Sequence, residues 1–160
     1  MNPEERQTAI ARVSALPEQV SDLVEGLSAE QLTTAYDEGE WTIAQNIHHL
    51  CDSHMNSYLR CKLMATEEQP SLKPYDQDKW AELPDASTAD LAASLALLSG
   101  LHARWVLFWE SLSDDEWSRT GLHASGRVVT LEDQLSLYAW HGEAHLDQMQ
   151  RVLTAGGLTA

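Results

Sequence analysis

Basic residues are scarce in this sequence. Only 10 Lys and Arg stand against 25 Asp and Glu, which gives a formal net charge of −15 over 160 residues. The basic residues are scattered rather than gathered into a stripe, so nothing offsets the repulsion from phosphate groups. The composition therefore predicts no nucleic-acid partner and no binding to an anionic membrane surface.

Cysteines and long apolar runs are also few. Cys51 and Cys61 are the only cysteines, which is too few for a disulfide framework or a cysteine-based zinc site. The opening stretch MNPEERQTAI lacks the apolar core of a signal peptide. No run approaches the roughly 18 apolar residues of a membrane-spanning helix. The sequence predicts a cytoplasmic protein with both thiols reduced.

Apolar residues recur with helical spacing in four long stretches, and capping patterns mark several of their starts. Thr42 with Gln45 and Thr130 with Asp133 are capping-box pairs, and Ser87 with Asp90 is interpreted in the same way. Pro17 predicts a kink or break in the first stretch. The four predicted helices are Pro3 to Leu27, Thr42 to Thr66, Ser87 to Leu112, and Thr130 to the glycine pair Gly156-Gly157.

The connections between these helices are long, about 15 to 20 residues where about 2 to 8 is usual in a bundle. The stretch QPSLKPYDQDKWAELPD (69–85) contains three prolines, Tyr75 and Trp80, and is expected to be an ordered cover. A β-hairpin is predicted at 123–129, with Ser125-Gly126 as its turn. No strand pattern is strong enough to build a sheet. The prediction is an all-α four-helix bundle forming one domain over residues 1–160.

Two histidines stand four positions apart in YAWHGEAH, as His141 and His145. On a helix they share a face, about 6 Å apart at Cβ, and they flank the apolar stripe. Inward-facing imidazoles need partners, and either a shared divalent metal or separate hydrogen bonds would supply them. HGEAH is not the zinc-protease motif, because Gly142 replaces the glutamate and Glu143 points about 200° away from His141.

A third metal ligand would have to come from another helix, and NIHHLCDSHM in the second helix offers three histidines. His54 falls within the apolar stripe and would be the ligand of a core site. His49 would be the ligand if the neighbouring polar line edges a pocket. Periodicity leaves both open, and it gives His102 and His123 no spacing partner. The polar line consists of Asn46, His49, Ser53, Asn56 and Arg60.

Four stretches together resemble the DinB-like superfamily, most closely its YfiT branch: EWTIAQNIHHLCDSHMNSYLRCKL, KPYDQDKWAELPD, LHARW and LYAWHGEAH. The resemblance implies a four-helix bundle that holds one divalent metal through His49, His141 and His145. It makes Asn46, Ser53, Asn56, Arg60 and Tyr138 candidates for the pocket wall. It also implies a homodimer, and an N-terminal arm with a Tyr-Pro pair that is not seen before the first predicted helix here.

Three imidazoles without a ligating carboxylate would leave a metal with open positions, which is typical of catalytic sites. Imidazole ligands suit zinc, nickel, iron or copper, with metal availability deciding among them, and the ion expected here is zinc or nickel. The resemblance implies an S-transferase that activates a small thiol of the bacillithiol or mycothiol kind for attack on an electrophile. Two alternatives stay open: a hydrolase that uses metal-bound hydroxide, and a metal-binding, stress-associated module without turnover.

Overall fold

The computed structural model describes residues 1–158. Within this range, four long helices form the bundle: α1 (Pro3–Val24), α3 (Ile43–Thr66), α5 (Ala92–Glu110) and α6 (Leu131–Ala155). Two short helices, α2 (Ala29–Thr33) and α4 (Gln77–Ala81), and 3-10 turns at Pro84–Ala86 and Glu116–Ser118 lie in the connections. The predicted four-helix bundle is confirmed.

The capping boxes that start α3 and α6 are also confirmed. The Thr42 hydroxyl accepts a hydrogen bond from the Gln45 amide at 3.2 Å, and the Thr130 hydroxyl accepts one from the Asp133 amide at 3.0 Å. In each case the third residue's side chain returns a bond to the backbone of the cap. These interactions span three residues, so the sequence alone could locate them.

The predicted ends of α1 and α5 were wrong. α1 continues through Pro17 but stops at Val24, where Glu25 leaves the helical conformation with ψ 127° and Gly26 follows with a left-handed φ of +79°. α5 begins at Ala92 rather than Ser87. The Ser87 hydroxyl instead donates to the Leu83 carbonyl at 3.2 Å, which closes the 3-10 turn that precedes the helix.

The order of the helices around the bundle explains two of the three long connections, from α1 to α3 and from α5 to α6. α1 packs against α5 and α6, and α3 packs against the same two helices. The consecutive helices α1 and α3 therefore face each other across one diagonal, and α5 and α6 across the other. A chain that joins diagonal helices must cross an end of the bundle, so short loops are excluded.

A small sheet closes one end of the bundle, contrary to the expectation that no sheet forms. The predicted hairpin is present as β2 (Thr120–His123) and β3 (Val128–Thr130), with Gly126 at φ +82° in its turn. β1 (Ser71–Leu72) then pairs in parallel with β2. Two residues give no alternating pattern, so β1 has no signal in the sequence.

The apolar core consists of two clusters with polar residues between them. One cluster includes Val13, Trp105 and Tyr138, and the other includes Leu16, Leu98 and Met149. Along each long helix, members of one cluster are followed by members of the other, and a few residues lie at the level between them. At this level α3 contributes His54, α5 contributes His102 and α6 contributes His141. A layer of histidines therefore crosses the core.

By length and composition α5 is the one helix of residues 1–158 that could cross a membrane, with a mean hydropathy of 1.2 over an 18-residue window. This helix differs from the expectation that no apolar run is long enough to span a membrane. In the fold, α5 packs against α1 and α3 and buries Leu98, His102 and Trp105. Part of its apolar surface thus belongs to the bundle core, while Leu97 and Leu107 are exposed.

Candidate metal centre

Three histidines converge where α3 and α6 pack together. His49 comes from α3, and His141 and His145 come from successive turns of α6. One ring nitrogen of each lies within 4.8 Å of those of the others, and the ring centroids are 4.5 to 5.4 Å apart.

The spacing of two of these nitrogens fits a metal ion. The Nε2 atoms of His49 and His141 are 3.4 Å apart. Metal–nitrogen bonds of about 2.0–2.1 Å at a tetrahedral angle place neighbouring ligand nitrogens about 3.3–3.4 Å apart. This pair therefore has the donor type and the spacing of two ligands of a tetrahedral divalent metal, and the third histidine, His145, has a ring nitrogen within 4.8 Å of theirs.

Asn46 sets the orientation of His145. His145 Nδ1 donates to Asn46 Oδ1 at 2.8 Å. The amide nitrogen of Asn46 donates to the Thr42 carbonyl at 3.0 Å and to the Trp41 carbonyl at 3.3 Å, so its oxygen must face the histidine. Nε2 of His145 is thereby left as the nitrogen that can bind a metal.

Two buried histidines stand behind His141. Nδ1 of His141 lies 3.1 Å from Nε2 of His54, and Nδ1 of His54 lies 2.8 Å from Nε2 of His102. Nδ1 of His102 lies 2.6 Å from the Val13 carbonyl oxygen. Both nitrogens of His54 are therefore occupied by other histidines, so the geometry groups His49, rather than His54, with the α6 pair.

Trp41 forms one side of the site and was not found from the sequence. Its ring centroid lies 4.7 Å from that of His49, and its plane is within 10° of the His145 plane at 6.3 Å. Trp41 directly precedes the Thr42 cap and belongs to no helical stripe. Only the residue pair WT at the start of α3 hints at it, and this pair does not indicate a pocket.

Burial keeps the site histidines neutral. Desolvation, and then the neighbouring His145, lower the pKa of His49 to about 4. Desolvation, followed by His145 and His49, lowers the pKa of His141 to about 3. Burial also lowers the pKa of His145. At neutral pH a metal would therefore meet three neutral imidazoles, not imidazolium cations.

The residues of the polar line take different positions. Asn46 supports His145, as described above. Ser53 is buried, and its hydroxyl lies 3.4 Å from that of Tyr138, whose ring is 5.4 Å from His141. The amide of Asn56 donates to the Asp52 carbonyl of its own helix at 2.8 Å. Arg60 donates to the Lys73 carbonyl at 2.6 Å.

The predicted covering segment runs along α3. It is held at Lys73 by Arg60, and at Ala81 by Gln45, whose side-chain amide donates to that carbonyl at 3.0 Å. Between these anchors, Tyr75 packs on Trp80 with ring centroids 4.6 Å apart. Burial raises the pKa of Tyr75 to about 12, so its phenol stays protonated.

Three other polar side chains bond to groups outside the histidine cluster. His48 bonds to the Ser94 hydroxyl at 2.8 Å and the Thr88 carbonyl at 3.0 Å. His123 bonds to Ser125 at 2.8 Å in the hairpin turn. Glu143 pairs with Arg12 at 3.3 Å on the outer surface, so it cannot act as a base at the cluster.

Comparisons with known proteins identify the family. The model of the DinB superfamily matches residues 12–149. The chain is 42% identical over 147 residues to the Bacillus subtilis protein named "Putative metal-dependent hydrolase YfiT", covering 91% of this chain and 83% of that protein. It is 43% identical over 137 residues to an Oceanobacillus iheyensis protein with the same description, covering 86% and 79%.

Solved structures agree with this assignment. The structure of Bacillus subtilis YfiT, described as a probable metal-dependent hydrolase with an unusual four-helix bundle topology, superposes with a TM-score of 0.95 at 39% identity over 99% of this chain and 91% of that one. A mycothiol-dependent maleylpyruvate isomerase shares the fold, with a TM-score of 0.68 at 18% identity over 92% and 67%. This chain belongs to the DinB superfamily and, within it, to the YfiT-type proteins.

Proposed function

We propose that this protein is a metal-dependent enzyme in which His49, His141 and His145 hold one divalent ion, zinc or nickel. The most specific form of the proposal is an S-transferase that activates a small thiol for attack on an electrophile. A bound divalent metal would supply Lewis acidity, which lowers the pKa of a coordinated thiol or water. Residues of this chain would perform the remaining tasks of the reaction.

The observation that carries the thiol proposal is the neutral surroundings of the cluster. The three imidazoles are neutral at pH 7, and the groups that bond to their outer nitrogens, Asn46 and His54, are neutral too. A site of this kind favours a ligand that arrives with, or acquires, one negative charge. A thiolate and a hydroxide both meet this requirement, but a thiol can lose its proton to solvent without a carboxylate base, and neither Asn46 nor His54 is such a base.

The chain's own residues divide the remaining tasks. Asn46 orients His145, and Trp41 keeps water from one side of the cluster. The hydroxyls of Ser53 and Tyr138 are donors close to His141 that suit polar groups of a substrate. Tyr75, on the covering segment, is buried at its hydroxyl without a hydrogen-bond partner among residues 1–158, so a substrate oxygen could accept from it.

The hydrolase remains the second candidate, because the relatives from Bacillus subtilis and Oceanobacillus iheyensis carry that description. A hydrolase commonly uses a carboxylate base beside its metal. The acidic residue within the HGEAH motif, Glu143, is paired with Arg12 outside the site. The mycothiol dependence of the isomerase that shares this fold is consistent with the thiol proposal.

Elemental analysis of the purified protein is the first test. We expect about one zinc or nickel ion per chain in the wild type and loss of that ion in both His49→Ala and His145→Ala. The matched control is His123→Ala, because His123 is a turn residue outside the cluster. Absence of metal in the wild type, even after incubation with zinc and nickel, would refute the proposed site.

Activity then separates the candidates. The wild type is offered bacillithiol, mycothiol or glutathione with monochlorobimane as the electrophile, and separately p-nitrophenyl acetate without thiol. Conjugation that is lost in both alanine variants supports the transferase. Thiol-independent ester hydrolysis that is lost in the same variants supports the hydrolase. Bound metal with neither activity favours a non-catalytic module.

The proposal also includes a homodimer. Light scattering coupled to size-exclusion chromatography tests it, since the chain mass is 17.8 kDa. A mass near that of one chain at micromolar concentration would contradict it.

A further inference from the structure

We infer that His54 and His102 are positioning residues, which form with the Val13 carbonyl a one-way hydrogen-bond chain that holds the Nε2 lone pair of His141 toward the metal position. The inference rests on the proposed metal site. It concerns His54 on α3, His102 on α5 and Val13 on α1. None of these three residues contacts the proposed ion. Neither His54 nor His102 is a ligand in this arrangement.

The direction of the hydrogen-bond chain is set at the Val13 carbonyl, the end that lies farthest from the proposed metal. A carbonyl oxygen accepts hydrogen bonds and never donates them. Because His102 Nδ1 lies 2.6 Å from the Val13 oxygen, that nitrogen must carry the proton. His102 is 1% exposed, so no solvent competes for this bond.

The remaining protons follow from the first. A neutral imidazole protonated at Nδ1 has only a lone pair at Nε2, so His102 must accept from His54 Nδ1 across their 2.8 Å contact. His54 then has only a lone pair at Nε2, and it accepts from His141 Nδ1 at 3.1 Å. His141 is left with its lone pair at Nε2, the atom that lies 3.4 Å from His49 Nε2.

Burial keeps the chain in this neutral form. His54 is 0% exposed and lies against the rings of His102 and His141, so a charged imidazole there would lose its hydration without gaining an opposite charge. His102 is 1% exposed, and burial lowers its pKa. The chain links α1, α5, α3 and α6, so the orientation of a ligand on α6 depends on a backbone oxygen of α1.

A purely structural role for these histidines makes a different prediction. Two buried histidines could serve only to satisfy each other's hydrogen bonds, and their removal would then cost stability without changing the tautomer of His141. Position 102 allows the two roles to be separated. In His102→Gln, the amide nitrogen can donate to Val13 and the amide oxygen can accept from His54, so the direction is kept. In His102→Leu, neither bond is possible.

The direct measurement is long-range ¹H–¹⁵N correlation NMR on metal-free protein at pH 7.5, which reports the ring nitrogen that carries each imidazole proton. We expect Nδ1–H at His102, His54 and His141 in the wild type. His102→Gln should retain Nδ1–H at His141, whereas His102→Leu should give a mixture or the Nε2–H form. Nε2–H at His102 or His141 in the wild type would overturn the inference, even if no variant folds.

Zinc affinity is the second readout, measured by competition with a chromophoric chelator. Loss of an outer hydrogen-bond partner typically lowers metal affinity about 10–100-fold, and we expect this for His102→Leu but less than about a threefold loss for His102→Gln. The control is His48→Gln, at another buried histidine of α3 with both nitrogens bonded. It should lower stability but leave zinc affinity unchanged.

The outcomes distinguish this inference from the proposed function. If the wild type binds no zinc, the metal site fails, while the NMR result still decides the proton order. If zinc binds and His102→Leu keeps both the wild-type tautomer and the wild-type affinity, the positioning role is refuted. Thiol transfer need not be observed for either result.

Discussion

Gly142 of α6 packs closely on Leu16 of α1, and replacing it tests how the site is packed. A Cβ added at Gly142 would lie 2.6 Å from Cδ2 and 3.2 Å from Cδ1 of Leu16. Leu16 is 2% exposed and belongs to a core cluster, so it has little room to rotate. In Gly142→Ala, either Leu16 leaves its rotamer or the two helices move apart.

The expected magnitude follows from two opposing effects. Alanine is favoured over glycine inside a helix by about 1 kcal/mol, whereas overpacking a filled core costs about 1–3 kcal/mol. Gly100 provides the control, because it lies within α5 and a Cβ there meets nothing within 4 Å. Gly100→Ala should therefore raise the free energy of unfolding by up to about 1 kcal/mol. Gly142→Ala should leave it unchanged or lower it by up to about 2 kcal/mol.

Urea unfolding of the metal-free protein at pH 7.5 measures both variants against the wild type. The two variants should differ in their free energy of unfolding by about 1–3 kcal/mol, because the gain in helix propensity is the same in both and cancels. Because Gly142 lies between His141 and His145, zinc affinity should also fall in Gly142→Ala and not in Gly100→Ala. Equal stabilisation in the two variants would show that α1 and α6 are not in close contact here, and the reasoning would fail.

Buried titratable groups and the tryptophan beside the site give three further predictions. The pKa of His49 lies at about 4 and that of His141 at about 3, against 6.5 ordinarily, so the unfolded chain takes up protons first as pH falls. The metal-free protein should keep full stability above about pH 6.5. Below that pH, its free energy of unfolding should fall by up to about 1.4 kcal/mol per pH unit for each such histidine. Equal free energies of unfolding at pH 7.5 and 5.5 would contradict this. Burial raises the pKa of both cysteine thiols to about 12, so a disulfide reagent at pH 8 should label neither in the native protein and both in denaturant. Since Trp41 lies 4.7 Å from His49, Cu²⁺ should quench its fluorescence, and Trp41→Phe should remove most of the quenching while Trp140→Phe should not.

The helices and one half of the site could be found from local sequence patterns. Capping boxes at Thr42 and Thr130 depend on groups three residues apart, so the sequence located these helix starts. His141 and His145 share a face because of helical spacing alone. The choice of His49 over His54 came from family resemblance, and the fold gives its physical basis: both nitrogens of His54 are already bonded.

Contacts between distant segments were decided only by the tertiary structure. The parallel pairing of β1 with β2, the diagonal order of the helices and the position of Trp41 against His49 have no periodic signature. His102 had no partner within its own helix, yet it lies 2.8 Å from His54 and 2.6 Å from the Val13 carbonyl. Spacing along a chain determines which side chains share a face of one helix. The hydrogen bonds between four helices depend on how those faces pack, and packing fixed the order of protons behind the proposed metal site.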